Sequence, residues 1–191
     1  CQPYMEIAGP TFFKSLSPKQ FMLIGSVKYN SSGTTTKGSA EAGRKIIIYE
    51  VNDYSKANPT RIQRYMKTIH HEFAHIADQT KEVPKEWERI TPDYAERWDA
   101  YSDAEALELG FITNYAMSMP SEDFAEMVGM MLSNSREGWD EILAGISNTQ
   151  AVEKIKEKEE MVVAYYRDRW GVDIYALWIA CEEALYNLVN N

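Results

Sequence analysis

An α+β fold follows from three observations: short β-branched apolar runs within the first fifty residues, one long amphipathic helix opening near residue 58, and helical periodicity from residue 120 to the end. Phe21-Met22-Leu23-Ile24 and Lys45-Ile46-Ile47-Ile48-Tyr49-Glu50-Val51 are the apolar runs. Asn30-Ser31-Ser32-Gly33-Thr34-Thr35-Thr36-Lys37-Gly38, between them, is rich in turn formers and predicts a hairpin or loop. On this reading the first fifty residues form a small sheet.

Asn58-Pro59-Thr60 carries a helix start, with a capping side chain ahead of a proline whose missing N–H costs the first turn nothing. The apolar positions Ile62, Tyr65, Met66, Ile69, Phe73 and Ile76 then advance mostly by three or four, one stripe of a central helix. Pro84 and Pro92 break the pattern in an irregular stretch from 80 to 100 that also holds Trp87, Tyr94 and Trp98. Loops of that length are often functional, so these aromatics either line a cleft or join the core. Ser102 can cap a short helix through Leu109, with Gly110 as its left-handed terminator. Helices are then expected over 121–133, 136–145, 150–168 and 172–189.

The 191 residues suit one domain, and 45% apolar with 26% charged residues is ordinary for a packed globular chain. A net charge of −9 and a pI near 4.9 leave no attraction for nucleic acids or anionic membranes. No run of 18 apolar residues could span a bilayer. The two cysteines, Cys1 and Cys181, are too few and too far apart for a disulfide framework. Cys181 reads as a small apolar residue of a buried helix. Cys1 is either the lipidated residue left by a lipoprotein leader or an internal boundary.

The chemistry is concentrated in His71-Glu72-Phe73-Ala74-His75 on the central helix. Histidines at i and i+4 project from one face, one turn apart, where two imidazoles can hold one zinc ion. Glu72, next to the first histidine, can lie beside the open coordination position and take a proton from a water activated there. The apolar stripe occupies a different face, leaving this one free for a cleft. His70 sits about 100° round the helix from His71 and five residues from His75, the wrong spacing for a ligand, and is expected beside the site or facing solvent.

A catalytic zinc keeps three protein ligands and one open position. No histidine follows His75, so the third ligand should be a carboxylate: Glu105 or Glu108 in one segment, Glu122 or Glu126 in another. Glu122 and Glu126 share a helical face, so one could bind the metal while the other fixes a ligand imidazole through a hydrogen bond. A bare acidic pair at that spacing repels, which a nearby cation relieves.

His71-Glu72-Phe73-Ala74-His75, followed 47 residues on by Glu122-Asp123-Phe124-Ala125-Glu126, resembles gluzincin peptidases of the anthrax lethal factor type. That resemblance implies Glu122 as ligand, Glu126 behind it, and Tyr115, seven residues before Glu122, as the donor to an oxyanion. Over nearly the whole chain the sequence is similar to the zinc-binding metallopeptidase lipoproteins encoded with nutrient-uptake loci of Bacteroidetes. The similar stretches are Pro18-Lys19-Gln20-Phe21, Gly43-Arg44-Lys45-Ile46, His70 to His75, Ser102-Asp103-Ala104-Glu105-Ala106 and Glu122 to Met127.

The resemblance implies a zincin-like (gluzincin) fold with a small mixed sheet, an active-site helix and a helical C-terminal half. It further implies a Zn2+-dependent peptidase acting on peptides or proteins, and export to the periplasm or cell surface as a lipoprotein. It makes the chain the C-terminal part of a longer precursor, with Cys1 internal to it. The alternative is a silent zincin-fold binding module of a nutrient-uptake system. An intact Glu72 weighs against that. A purely structural zinc is disfavoured because such sites are usually closed sets of four, rich in cysteine.

Overall fold

The computed structural model describes residues 2–16, 18–31, 33–41, 45–55 and 57–190; Cys1, Gly43 and Arg44 lie outside them. The sheet has the strand order β1-β5-β4, with β1 (Gln20–Leu23) parallel to β5 (Lys45–Ile48) and β4 (Gly38–Glu41) antiparallel to it. Ile46, Ile47 and Ile48 are all buried, as expected of a central strand covered on both faces. The turn-rich segment forms a hairpin, β2 (Lys28–Tyr29) with β3 (Thr35–Thr36), in the register Lys28 to Thr36 and Tyr29 to Thr35. The mixed sheet is as expected.

One expectation fails at the chain start. The first fifty residues are not all sheet: a π-helical stretch, Tyr4–Ala8, leads into α1 (Gly9–Leu16). The reason is tertiary. Tyr4, Phe12 and Leu16 are buried, and Tyr4 and Phe12 pack on Phe73 of the central helix at 4.8 and 6.1 Å, with Trp170 set edge-on to Phe12 at 5.3 Å. Aromatic packing across distant elements, invisible to local propensity, holds this short helix.

The central helix α2 runs Pro59–Thr80, and the Asn58 side chain accepts the Arg61 N–H at 3.1 Å. It lies against α5 (Pro120–Ser133), and the two backbones approach closely at Gly129. A Cβ there would sit 3.1 Å from the Lys67 carbonyl and 3.2 Å from the His71 Cβ. The strand β4 crosses the same helix at Gly38, where a Cβ would meet Thr68 at 2.5 Å and the Glu72 carboxylate at 2.8 Å. The two glycines thus let a helix and a strand reach the segment bearing the histidines.

Between 80 and 100 lie a short helix α3 (Trp87–Ile90) and a 3-10 turn (Trp98–Ala100). Helix α4 (Asp103–Leu109) begins with a capping box: Ser102 Oγ accepts the Glu105 N–H at 3.2 Å, and Glu105 accepts the Ser102 N–H at 2.8 Å. It ends at Gly110, φ +92. Helices α6 (Arg136–Ala144), α7 (Thr149–Tyr165) and α8 (Ile174–Asn190) complete the helical half. Cys181 on α8 is a buried free thiol, as expected. No helix among the described residues is long and apolar enough to cross a membrane.

Candidate metal centre

Three side chains from two helices converge on one point. The Nε2 atoms of His71 and His75 are 3.0 Å apart, and Glu122 Oε2 lies 3.1 Å from each. Two imidazole nitrogens and a carboxylate oxygen, all lone-pair donors, face one another at a separation that needs a cation or proton between them. A tetrahedral zinc with ligand bonds of about 2.0–2.2 Å requires donor separations of roughly 3.3–3.5 Å, so the set fits within a few tenths of an ångström. The geometry therefore suits zinc, with Glu122 as the third donor.

Glu126, one turn along α5, stands behind His71, with Oε1 2.9 Å from His71 Nδ1. It is 3% exposed and also accepts from Lys67 at 2.7 Å and from the Thr113 hydroxyl. Burial alone would raise its pKa, but Lys67 and His71 outweigh that and hold the carboxyl well below the usual range, fully ionised. Glu122 is likewise depressed, to about 2, because its hydrogen bonds with His71 and His75 overcome its burial. In return, these two carboxylates lift His71 to about 9 against a desolvation that would lower it.

Glu72 is buried, and burial raises its pKa despite the opposing pull of His71, His75 and the Ala40 backbone N–H. A carboxylate whose affinity for a proton is raised is better suited to base work than an ordinary one. Tyr115 stands at the other side of His71, ring centroids 6.1 Å apart, with Trp98 set edge-on to it at 4.9 Å. Burial and the charges of Glu122 and Glu126 push the Tyr115 phenol far above its usual range, so it stays a proton donor.

His71, Glu72 and Tyr115 line two adjoining cavities, one of about 400 Å³ toward Lys67 and Trp98, the other of about 490 Å³ toward His75 and Ser121. A family profile described as "Putative zinc-binding metallo-peptidase" matches residues 1–175. The chain belongs to this family. A crystal structure from Bacteroides caccae under the same description matches with a TM-score of 0.84 and 30% identity, over 100% of this chain and 73% of that one. No curated protein matches.

For this zinc-binding metallo-peptidase family member, the other carboxylates considered from sequence have structural work. Glu105 closes the α4 capping box, and Glu108 accepts the Ser147 and Asn148 N–H groups at 2.7 and 2.8 Å at the start of α7. His70 does not face solvent. It is 2% exposed, its Nδ1 is 2.9 Å from the Tyr4 hydroxyl, and burial lowers its pKa to about 3. The same buried aromatic packing that made the chain start helical draws His70 inward, away from the metal face. The aromatic loop divides. Trp98 lines the cavity, whereas Trp87 is buried and Tyr94 half-buried.

Sequence reasoning missed the support beneath Glu122. Asp123 is fully buried; it receives Lys158 at 2.7–2.8 Å, and the Trp87 indole and the Tyr94 hydroxyl at 3.1 Å each. Lys158 also donates to the Gly110 carbonyl at 3.0 Å. This network ties the first turn of α5, and so Glu122, to α7 and the aromatic loop. Asp123 reads in the sequence as one more acid of a helix N-terminal turn, and nothing local pairs it with a lysine 35 residues away.

Proposed function

We propose that the protein is a zinc-dependent peptidase that hydrolyses peptide bonds, with His71, His75 and Glu122 holding the metal. The convergence of those three donor atoms beside a buried Glu72 supports this reading most strongly. Zinc, when bound, supplies Lewis-acid polarisation of a carbonyl and acidifies a coordinated water. Glu72 takes the proton of the attacking water and returns it to the leaving amine. Tyr115, held protonated, donates to the oxygen that gains charge in the transition state. Glu126, fixed by Lys67 and Thr113, orients the His71 ring. The cavities on either side give room for chain on both sides of a scissile bond. Export to the periplasm or cell surface as a lipoprotein belongs to the same proposal.

The experiment is metal analysis of the purified protein together with hydrolysis of a mixed peptide library, with and without chelator, for the wild type and Glu72→Gln. The expected result is about one zinc per chain in both, chelator-sensitive cleavage in the wild type, and turnover at least about a hundredfold lower in the variant. Zinc binding with no cleavage would instead make the protein a binding module.

A further inference from the structure

The two cavities beside the metal centre differ in charge. In a chain of net charge −9, the cavity toward Trp98 is lined by Lys37, Arg64 and Lys67 together with Glu72 and Glu126, while the one toward Ser121 has Glu72, Asp78 and Glu122 and no lysine or arginine among its described lining residues. Of the carboxylates that balance the three cations, Glu50 is not among the cavity's lining residues, and Glu126 borders it while only 3% exposed. Glu50 holds Lys37 at 2.5 Å and Arg64 at 3.2 Å, yet the Lys37 and Arg64 side chains remain 40% and 38% exposed against 10% for Glu50. Lys67 is 27% exposed against 3% for its partner Glu126. A solute entering this cavity therefore meets N–H donors ahead of the charges that neutralise them.

A second, independent feature marks the arrangement as built. Glu50 is the one described residue other than glycine with positive φ, at +64, a conformation L residues avoid. Its backbone is tied on both sides, the carbonyl accepting the Tyr65 hydroxyl at 2.7 Å and the N–H donating to the Ser26 carbonyl at 3.2 Å. Strain of this kind persists where the surroundings over-determine it and clusters at ligand sites. Its consequence here is a carboxylate that bridges Lys37 on the hairpin side to Arg64 on α2.

We infer that the cavity on the Lys67 side is a subsite for a carboxylate of the substrate, either an acidic side chain or a free C-terminus, bound by Lys37 and Arg64 in the field of Lys67. The inference rests on the peptidase reading and adds the substrate class. Each lysine has three donors and arginine five, so both Lys37 and Arg64 keep donors after pairing with Glu50. The other cavity, bordered by Asp78, takes the neutral or basic part of the chain.

The test is binding of labelled peptides to zinc-loaded Glu72→Gln protein by fluorescence anisotropy, alongside cleavage by the wild type. One peptide series exchanges Glu for Gln at each position in turn; a second exchanges a C-terminal acid for its amide. At low salt, the Glu or free-acid form should bind roughly ten- to a hundredfold more tightly than its neutral twin, the range for hydrogen bonds to a charged group. The series showing the gap tells side chain from C-terminus. The gap should narrow in high salt, and Lys37→Gln and Arg64→Gln should each shrink it, while Lys37→Glu should reverse it. Peptides cut or bound equally in both forms would overturn the subsite and leave the peptidase reading standing. A preference unchanged in both the Lys37 and Arg64 variants would remove these residues from it. If no peptide is bound or cut, the peptidase reading falls and the subsite with it.

Discussion

Zinc binding should be strongly coupled to a proton on His71. In the metal-free site the proton on His71 Nε2 stands where the cation would, 3.1 Å from Glu122, while Glu126 lies 2.9 Å from Nδ1 on the far side of the ring, and together they raise the His71 pKa to about 9. Only unprotonated imidazole ligates, so at pH 7 about one site in a hundred is ready, a loss on the order of a few kcal/mol of apparent affinity. Affinity should climb about tenfold per pH unit from pH 6 and level off near pH 9. The assay is competition against a chelator of known pH dependence, with calorimetry in two buffers of different ionisation enthalpy to count protons. About one proton from His71 should be released per zinc at pH 7 to 8. Metal-free stability should run the opposite way. A folded-state pKa raised above the unfolded value of 6.5 stabilises fully below about pH 6.5, and that contribution is lost as pH rises through 9. Glu122, depressed to about 2, adds stability above about pH 4.5 and loses it only as pH falls toward 2, so it is constant across the window. Zinc affinity that stays flat between pH 7 and 9, with no proton released, would refute the reasoning.

Three substitutions test the shell around the metal. Glu122→Ala should nearly abolish zinc retention, Glu126→Ala should weaken affinity roughly 10- to 100-fold, and Glu105→Ala should leave zinc in place while weakening the start of α4 through its lost capping box; a metal titration with urea melts ranks them. Asp123→Ala strands the fully buried Lys158 and should destabilise by about 3–5 kcal/mol in chemical denaturation. Gly129→Ala brings a methyl to 3.1 Å from the Lys67 carbonyl, so it should cost roughly 1–3 kcal/mol and reduce zinc affinity by shifting α5 against α2.

Much of the site was legible in the sequence because it is written in helical spacing. His71, Glu72 and His75 lie within five residues of one helix, and Glu122 with Glu126 within five of another, so the i, i+4 rule puts each set on one face without knowledge of the fold. Helix ends were legible for the same local reason: Asn58 and Ser102 cap as their chemistry dictates, and Gly110 terminates. Which acid meets His71 and His75 was less accessible, since Glu105 and Glu122 differ in sequence only by neighbours. The docking of α5 on α2, allowed by Gly129, decides between them. The helical chain start, the inward turn of His70 toward Tyr4, the Asp123 and Lys158 pair and the Glu50 bridge between Lys37 and Arg64 all join residues from separate elements. Local propensity carries no information about such pairs. Their energy comes from burial, desolvation and charge pairing that exist only once the elements are packed.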